Sequence, residues 1–568
     1  MASEDKPQSG VHLSAGFGGP SRMAPSVAAA DMAFTLTIVG DFGGVGDGGF
    51  ADLSASDLPT FMASFGAVVE LEVANRLGSA PPALAVRLAM ASIRDLDPRT
   101  IAKRVPQIAE AERLVTAGRS KSTSDFAALA RAGLDRIADL LQPTSTSAVR
   151  PPSPQPSAEE DHSLDRLLEM VDVPPVQTEI AKAAVSAFVS SFAKPGQPIP
   201  ASEAASRLLS DQAQDIAAHP AWLAAEAAWR NLQMILAARG GRGATRIQLC
   251  DVRRPAVADL LRSAAFADHL AGEALHAILV LGAYGRSDRD LEELDRLALA
   301  AESLASPVIV SLDKDFLGAA PDVVAGMDNP AALLDARGHD AWRGLRGRDE
   351  SRWLFAAWND FVLRPESAGS PGLWGEPGAV VAAQVLRSLA RTGWPTEILG
   401  AESALGGLEV AEAGARGGRK VAIPLRALLD LGVARDLAHS GVIALVCRAD
   451  RDQVWLTRAS SAFADGAGAA SEQAKAIESL GGLPFRFVSA YFETLLSAIA
   501  HNLGPDGATA ARIERHLEDA LLATGAGASA RVTTAQTDSG DDGRLFEVSI
   551  RLGQSVMGGF AFSLELAL

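Results

Sequence analysis

Runs in which every second residue is apolar alternate along this chain with longer runs in which apolar residues return every three or four positions. The first pattern suits a strand, whose side chains point to opposite faces in turn; the second suits a helix with one buried stripe. Phe34–Gly40 (Phe-Thr-Leu-Thr-Ile-Val-Gly) reads as a strand, with a Gly-rich turn at 43–49 behind it, and 84–90 alternates again. Further strands are expected at 245–252, 275–282, 307–312, 421–425, 441–447 and 453–457. Helices are expected from Leu58, behind a capping Asp57, and at 98–117, with Pro98 at the tolerated first position. Others are expected at 124–141, 163–171, 176–193, 202–217, 220–238, 254–265, 484–502 and 508–523, and 329–364 reads as helical and Trp-rich. A short strand is expected at 11–14, and the chain ends on two strongly alternating segments, 546–552 and 559–566. There is no repeat of fixed period. The mixture predicts an α/β (mixed α+β) fold.

The periodicity lapses at 143–162. Pro143, Pro151, Pro152, Pro154 and Pro156 precede Glu159, Glu160 and Asp161. Such a segment buries too little to offset its ordering entropy, and prolines keep it extended. The sequence therefore divides into an arm at 1–33, a module at 34–142, a Pro/Ser-rich acidic linker at 143–162 and a large region at 163–568.

Composition narrows the function. The 568 residues are 48% hydrophobic and 21% charged, enough for a large core. Net charge is −17 and aromatics are 5%, without the clustered cations and stacking rings of a nucleic-acid groove. No uninterrupted apolar run of membrane-spanning length occurs, so no membrane insertion is expected. The N-terminus lacks the pattern of a secretory signal. Cys250 and Cys447 make neither a disulfide framework nor a thiolate metal centre, and a reducing cytoplasm fits them.

The residues that invite chemistry have simpler readings. The glycines of 40–49 would let backbone N–H groups approach a phosphate, but the P-loop Lys-Ser/Thr pair is missing and Asp41 and Asp47 would repel it. His219, His269, His276 and His339 lack the spacing that puts two imidazoles on one helix face. Ser440 lacks a nucleophile elbow and reads as a turn before a strand. Asp313 and Asp315 follow a strand, where α/β enzymes place acids, or simply form a solvated turn. Trp222 and Trp229 share a helix face, and with Trp342, Trp353 and Trp358 they serve the core or a contact between subunits. No catalytic, metal or cofactor set is expected. Leu164, Leu167, Leu168 and Val171 form a short apolar stripe that must dock on its own domain or in a partner's groove.

Residues 32–42, Met-Ala-Phe-Thr-Leu-Thr-Ile-Val-Gly-Asp-Phe, resemble the start of the small sheath subunit of type VI secretion systems (TssB, or VipA), as do 69–77 and 99–108. Beyond the linker, 163–169 and above all 219–232, His-Pro-Ala-Trp-Leu-Ala-Ala-Glu-Ala-Ala-Trp-Arg-Asn-Leu, resemble the large subunit (TssC, or VipB). Trp342-Arg343, 361–365, 440–445, 485–487 and the terminal strand pair fit its later blocks, while 365–420 fits weakly. The resemblance implies a fused sheath subunit, not an enzyme, that polymerises around an Hcp-like inner tube on a baseplate and is dismantled by a ClpV-like ATPase. It implies a contractile-sheath fold whose terminal strands form intermolecular sheets, with Phe546, Val548, Ile550, Phe560, Phe562 and Leu564 as exchange positions. Ile101, Val105 and Ile108 are expected where the small module meets the large one, and Leu164, Leu167 and Leu168 as the ATPase's handle. Alternatives from the residues alone are a non-contracting scaffold of related fold or an α/β nucleotide-binding enzyme using the 43–49 or Asp313 loop.

Overall fold

The computed structural model describes residues 11–13, 34–44, 46–53, 57–116, 134–141, 201–240, 245–269, 277–367, 370–414, 420–464, 482–524, 529–535, 545–552 and 561–567. Its strands, in chain order, are β1 (Val11–Leu13), β2 (Phe34–Gly40), β3 (Asp47–Asp52), β4 (Ala67–Ala74), β5 (Ala83–Met90), β6 (Thr245–Val252), β7 (Ala277–Val280), β8 (Val308–Ser311) and β9 (Leu354–Trp358). They continue with β10 (Phe361–Arg364), β11 (Leu373–Gly375), β12 (Ala411–Gly414), β13 (Lys420–Ile423), β14 (Val442–Cys447), β15 (Val454–Leu456), β16 (Ser529–Ala535), β17 (Leu545–Arg551) and β18 (Ala561–Ala567). Two compact units form: Met1–Leu71 with Arg87–Thr100 and Ala217–Leu568, and Glu72–Val86 with Ile101–Ile216.

The first unit is organised by an eight-stranded sheet in the order β15-β14-β9-β8-β7-β2-β6-β3. Its six inner strands are parallel, and β3 and β15 close the edges antiparallel. Parallel strands covered on both faces need apolar residues throughout, and β7, β8, β9 and β14 are buried at every position. So is β2, whose Thr37 hydroxyl donates to Gln248 Oε1 at 3.3 Å. On one face, Val280, Val310 and Ala356 pack with Leu294, Leu297 and Ala301 of the helix Asp288–Ser303 and with Trp342 and Trp358. On the other, the helix Pro377–Thr392 comes so close that a Cβ on Gly378 would lie 2.9 Å from Ser311 Oγ and 3.2 Å from Leu279 Cδ1.

A second layer of this unit is a four-stranded sheet, β1-β18-β17-β16, covered by the helices Leu483–Gly507 and Ala510–Thr524. The ribbon β4–β5 gives one half to each unit. In the second unit, helices Ile101–Arg104, Pro106–Thr116 and Ala201–Ala217 are described.

Several expectations need correction. The stretch 98–117 is not one helix: Pro106 has no N–H to donate, so helix Ile101–Arg104 ends before it and a new helix starts on it. Residues 329–364 are helical only to Trp353; β9 and β10 follow, because a short buried apolar run has no periodicity to tell strand from helix. The turn 43–49 already includes the start of β3, and 254–265 breaks into shorter helices around Arg262. Helices Asp288–Ser303 and Pro377–Thr392 and strand β16 were not expected at all. The segments 163–171 and 176–193 and the first part of 124–141 lie outside the described residues.

Candidate assembly interface

Residues on the two sides of the 143–162 linker interlock in both units. In the first, β2 lies between β6 and β7 and pairs with both, in register Phe34↔Thr245 to Gly40↔Asp251 and Leu36↔Ala277 to Val39↔Val280. The loop behind β2 is bolted from the other side of the linker. Asp251 accepts from Phe42 N and Gly46 N, both at 2.9 Å. Trp229 Nε1 donates to Phe42 O at 3.1 Å, and the Phe42 and Trp229 rings meet edge to face at 5.2 Å. Phe34 meets Phe487 in the same way at 5.5 Å. In the second unit, Arg76 pairs with Asp215 and donates its N–H to Gln212 Oε1 at 2.7 Å, while Gln212 Nε2 donates to Ala74 O at 3.1 Å. Ile101, Val105 and Ile108 are all buried there.

The same contacts explain the block 219–232. His219 caps its helix, Nδ1 accepting from Ala221 N, and Pro220 takes the first position. Trp222 and Trp229 are fully buried, as are Trp342 and Trp358, so these four serve the core of the chain itself. Glu226, fully buried, is held by Arg230 at 2.8 Å and by Arg364. Asn231 Oδ1 accepts from Glu376 N at 3.3 Å.

The residues that could have carried chemistry are engaged in holding the fold. Asp251 sits where a phosphate would sit in a phosphate-binding loop: a Cβ on Gly44 would lie 2.5 Å from its Oδ2. Burial pushes the Asp251 carboxyl up, against the loop N–H groups that hold it down. Asp313 Oδ1 accepts from Asp315 N at 2.9 Å, the bond of an ordinary Asx turn. His339 bonds Phe316 O at 2.9 Å and His269 stacks on Phe50 at 3.6 Å. Ser440 ends the helix Leu431–His439, its carbonyl accepting from Trp342 Nε1. Near the ends of β7 and β8, Glu376 is half-buried, accepts from Gly282 N at 2.8 Å, and is pushed up to about 7 by desolvation. Burial also raises the Asp360 carboxyl, in spite of its 2.7 Å pair with Arg426.

The C-terminal sheet brings the two chain ends together. β16, β17 and β18 form an antiparallel meander, and β1 joins β18 in parallel, Val11↔Phe562 to Leu13↔Leu564. Phe546, Val548 and Ile550 are buried, each facing the two covering helices, and Val532, Val548 and Leu564 line up across three strands. Thus Phe546, Val548, Ile550 and Leu564 are core positions of one sheet, and Phe562 holds a register position in it. Phe560, Leu164, Leu167 and Leu168 lie outside the described residues.

Residues 23–117 match the family described as "Type VI secretion system, VipA, VC_A0107 or Hcp2", and residues 203–371 the family VipB, described as "EvpB/VC_A0108, tail sheath N-terminal domain". No curated protein sequence matches. Among solved structures, the anti-feeding prophage helical sheath in its contracted state is similar at 10% identity, over 60% of this chain and 78% of that one, with a TM-score of 0.31. A sheath tail protein of Listeria innocua is similar at 14% identity, over 57% of this chain and 61% of that one, with a TM-score of 0.29. The protein is a structural subunit of a contractile sheath. More narrowly, the two matches support a fusion of the small (TssB) and large (TssC) sheath subunits of type VI secretion in one chain, and such families imply self-assembly into a helical sheath. Such families point to a non-enzymatic role. Among the described residues no helix is long and apolar enough to cross a membrane.

Proposed function

We propose that this chain polymerises by adding a terminal strand of one copy to the C-terminal sheet of another, around an Hcp-like inner tube on a baseplate in the cytoplasm, and that contraction of the polymer ejects the tube. The observation that carries this reading is the meeting of β1 with β18, seven-residue strands β16 to β18 completing the sheet. A three-residue parallel pair is a small contact, and the same bonds form equally well with β1 of a neighbour. Phe546, Val548, Ile550 and Leu564 hold the acceptor sheet to its helices, Phe562 belongs to the strand that receives the partner, and Phe560 is proposed as a further exchange position.

The buried face Ile101, Val105 and Ile108 is part of the joint between the small and large segments, which the interlocking of Arg76 with Asp215 and Gln212 supports. The subunit works without catalytic turnover; the Asp251 carboxylate in the 41–46 loop supports this, since it fills the cradle a nucleotide phosphate would need. Leu164, Leu167 and Leu168 form the handle for a ClpV-like ATPase. The test of assembly is deletion of residues 559–568, followed by electron microscopy. Loss of tubes is expected; tubes of normal form would refute strand exchange.

A further inference from the structure

The C-terminal sheet has two edges, and they are not equivalent. One is β18, which receives β1. The other is β16, seven residues long, and among the described residues it pairs only inward, with β17. In an antiparallel pair, N–H and C=O of alternate residues both face the partner or both face away. Val532 is one of the residues of β16 that face away, since its N–H donates not to Val548 opposite but to Glu514 Oε2 at 2.9 Å. Ala530 and Thr534 share its orientation by the same alternation, so Val532 is the middle of three outward positions. Glu514 stands on the helix Ala510–Thr524, whose Ile513 and Leu517 are buried in the core beneath the sheet. That packing fixes the helix, and with it the reach of the carboxylate to the edge.

A strand adding to β16 would have to offer a carbonyl oxygen to the Val532 N–H. The carboxylate already occupies that donor in a charge-assisted bond, and its negative charge opposes an approaching carbonyl dipole. One edge of the large sheet is closed too. β15 is covered by 399–408, with Gly400 N donating to Leu456 O and Leu405 and Val454 exchanging both bonds at 2.8 and 2.9 Å. At the far edge, β3 is short and its register shifts between Asp47 and Phe50. We propose that Glu514 is an edge guard, which closes β16 and so confines strand addition between copies of this chain to the β18 edge. This rests on the strand-exchange reading and adds its direction: strands from other copies add on the β18 side of the sheet and not on the β16 side.

The test uses the full-length chain in its unassembled form, carrying Glu514→Ala or Glu514→Gln. Amide exchange across 529–535 is followed by mass spectrometry and the oligomer distribution by sedimentation. Glu514→Ala is expected to speed exchange in that segment by about tenfold or more in the monomer, and to add associated species absent from the parent. Glu514→Gln keeps an acceptor oxygen but loses the charge, so its exchange and distribution should fall between those of the parent and the alanine variant. An alanine variant that matches the parent in both readouts, or equal effects of the two variants, would overturn the proposal. Its failure is distinct from that of strand exchange, which is read from tubes formed by the 559–568 deletion.

Discussion

Glu376 gives the sharpest quantitative expectation. Its carboxyl is desolvated at the start of the helix Pro377–Thr392, with a neutral N–H from Gly282 as a hydrogen-bond donor and Ser311 beside it. Asp360 raises it further, Arg254 opposes the shift, and the result is about 7 against an ordinary 4.5. The folded state therefore keeps a proton that the unfolded chain loses from about pH 4.5 upward, and linkage makes stability fall with rising pH through that window and level off above pH 7. With about 1.4 kcal/mol for each unit of displacement, the full cost is roughly 3 kcal/mol at pH 8 and about 1 kcal/mol at pH 5. Glu376→Gln removes the titration. Its amide oxygen can accept from Gly282 N and its NH2 can donate to Ser311 Oγ. The variant should thus gain about 2 kcal/mol on the parent between pH 5 and pH 8. Asp251, Glu293 and Asp360, also raised by burial, titrate in parent and variant alike and cancel in the difference. Urea unfolding of the unassembled chain followed by tryptophan fluorescence reads it. A variant whose offset from the parent is the same at both pH values would refute the reasoning.

Two further expectations concern the segments. Cleavage of the 143–162 linker should leave the halves co-eluting, because β2 is hydrogen-bonded on both sides; in a cleaved chain carrying Val105→Asp and Ile108→Asp, two unpaired buried charges should cost several kcal/mol and separate them on gel filtration, and unchanged co-elution would remove the helix face from the joint. A 157–175 peptide should bind the N-domain of the ATPase that accompanies this system, and no binding, or equal binding with Leu167→Asp and Leu168→Asp, would leave 163–171 as an ordinary packing element.

The sequence by itself determined the class of protein and most of its elements. The block 219–232 was legible because a capping His219, Pro220 and a tryptophan pair at helical spacing leave a strong local pattern, and the two terminal strands because one buried face imposes strict alternation. The two helices that were missed both carry an apolar stripe at helical spacing: Leu291, Leu294, Leu297 and Ala301 in Asp288–Ser303, and Val381, Val385, Leu386 and Leu389 in Pro377–Thr392, with Arg387 and Arg391 on the opposite face of the latter. β16 escaped because Val532, the one core residue among its described side chains, is too little to show alternation. Only the tertiary structure decided that β2 is inserted between β6 and β7, that Asp251 fills the glycine loop, that the Glu376 carboxylate is desolvated beside the Gly282 N–H, and that Glu514 reaches Val532. The partners in these contacts are 18 to 241 residues apart, as Glu514 with Val532 and Leu36 with Ala277. Periodicity records which face of an element is buried, but pairing across such distances depends on how the whole chain closes around its core, and no local pattern carries that.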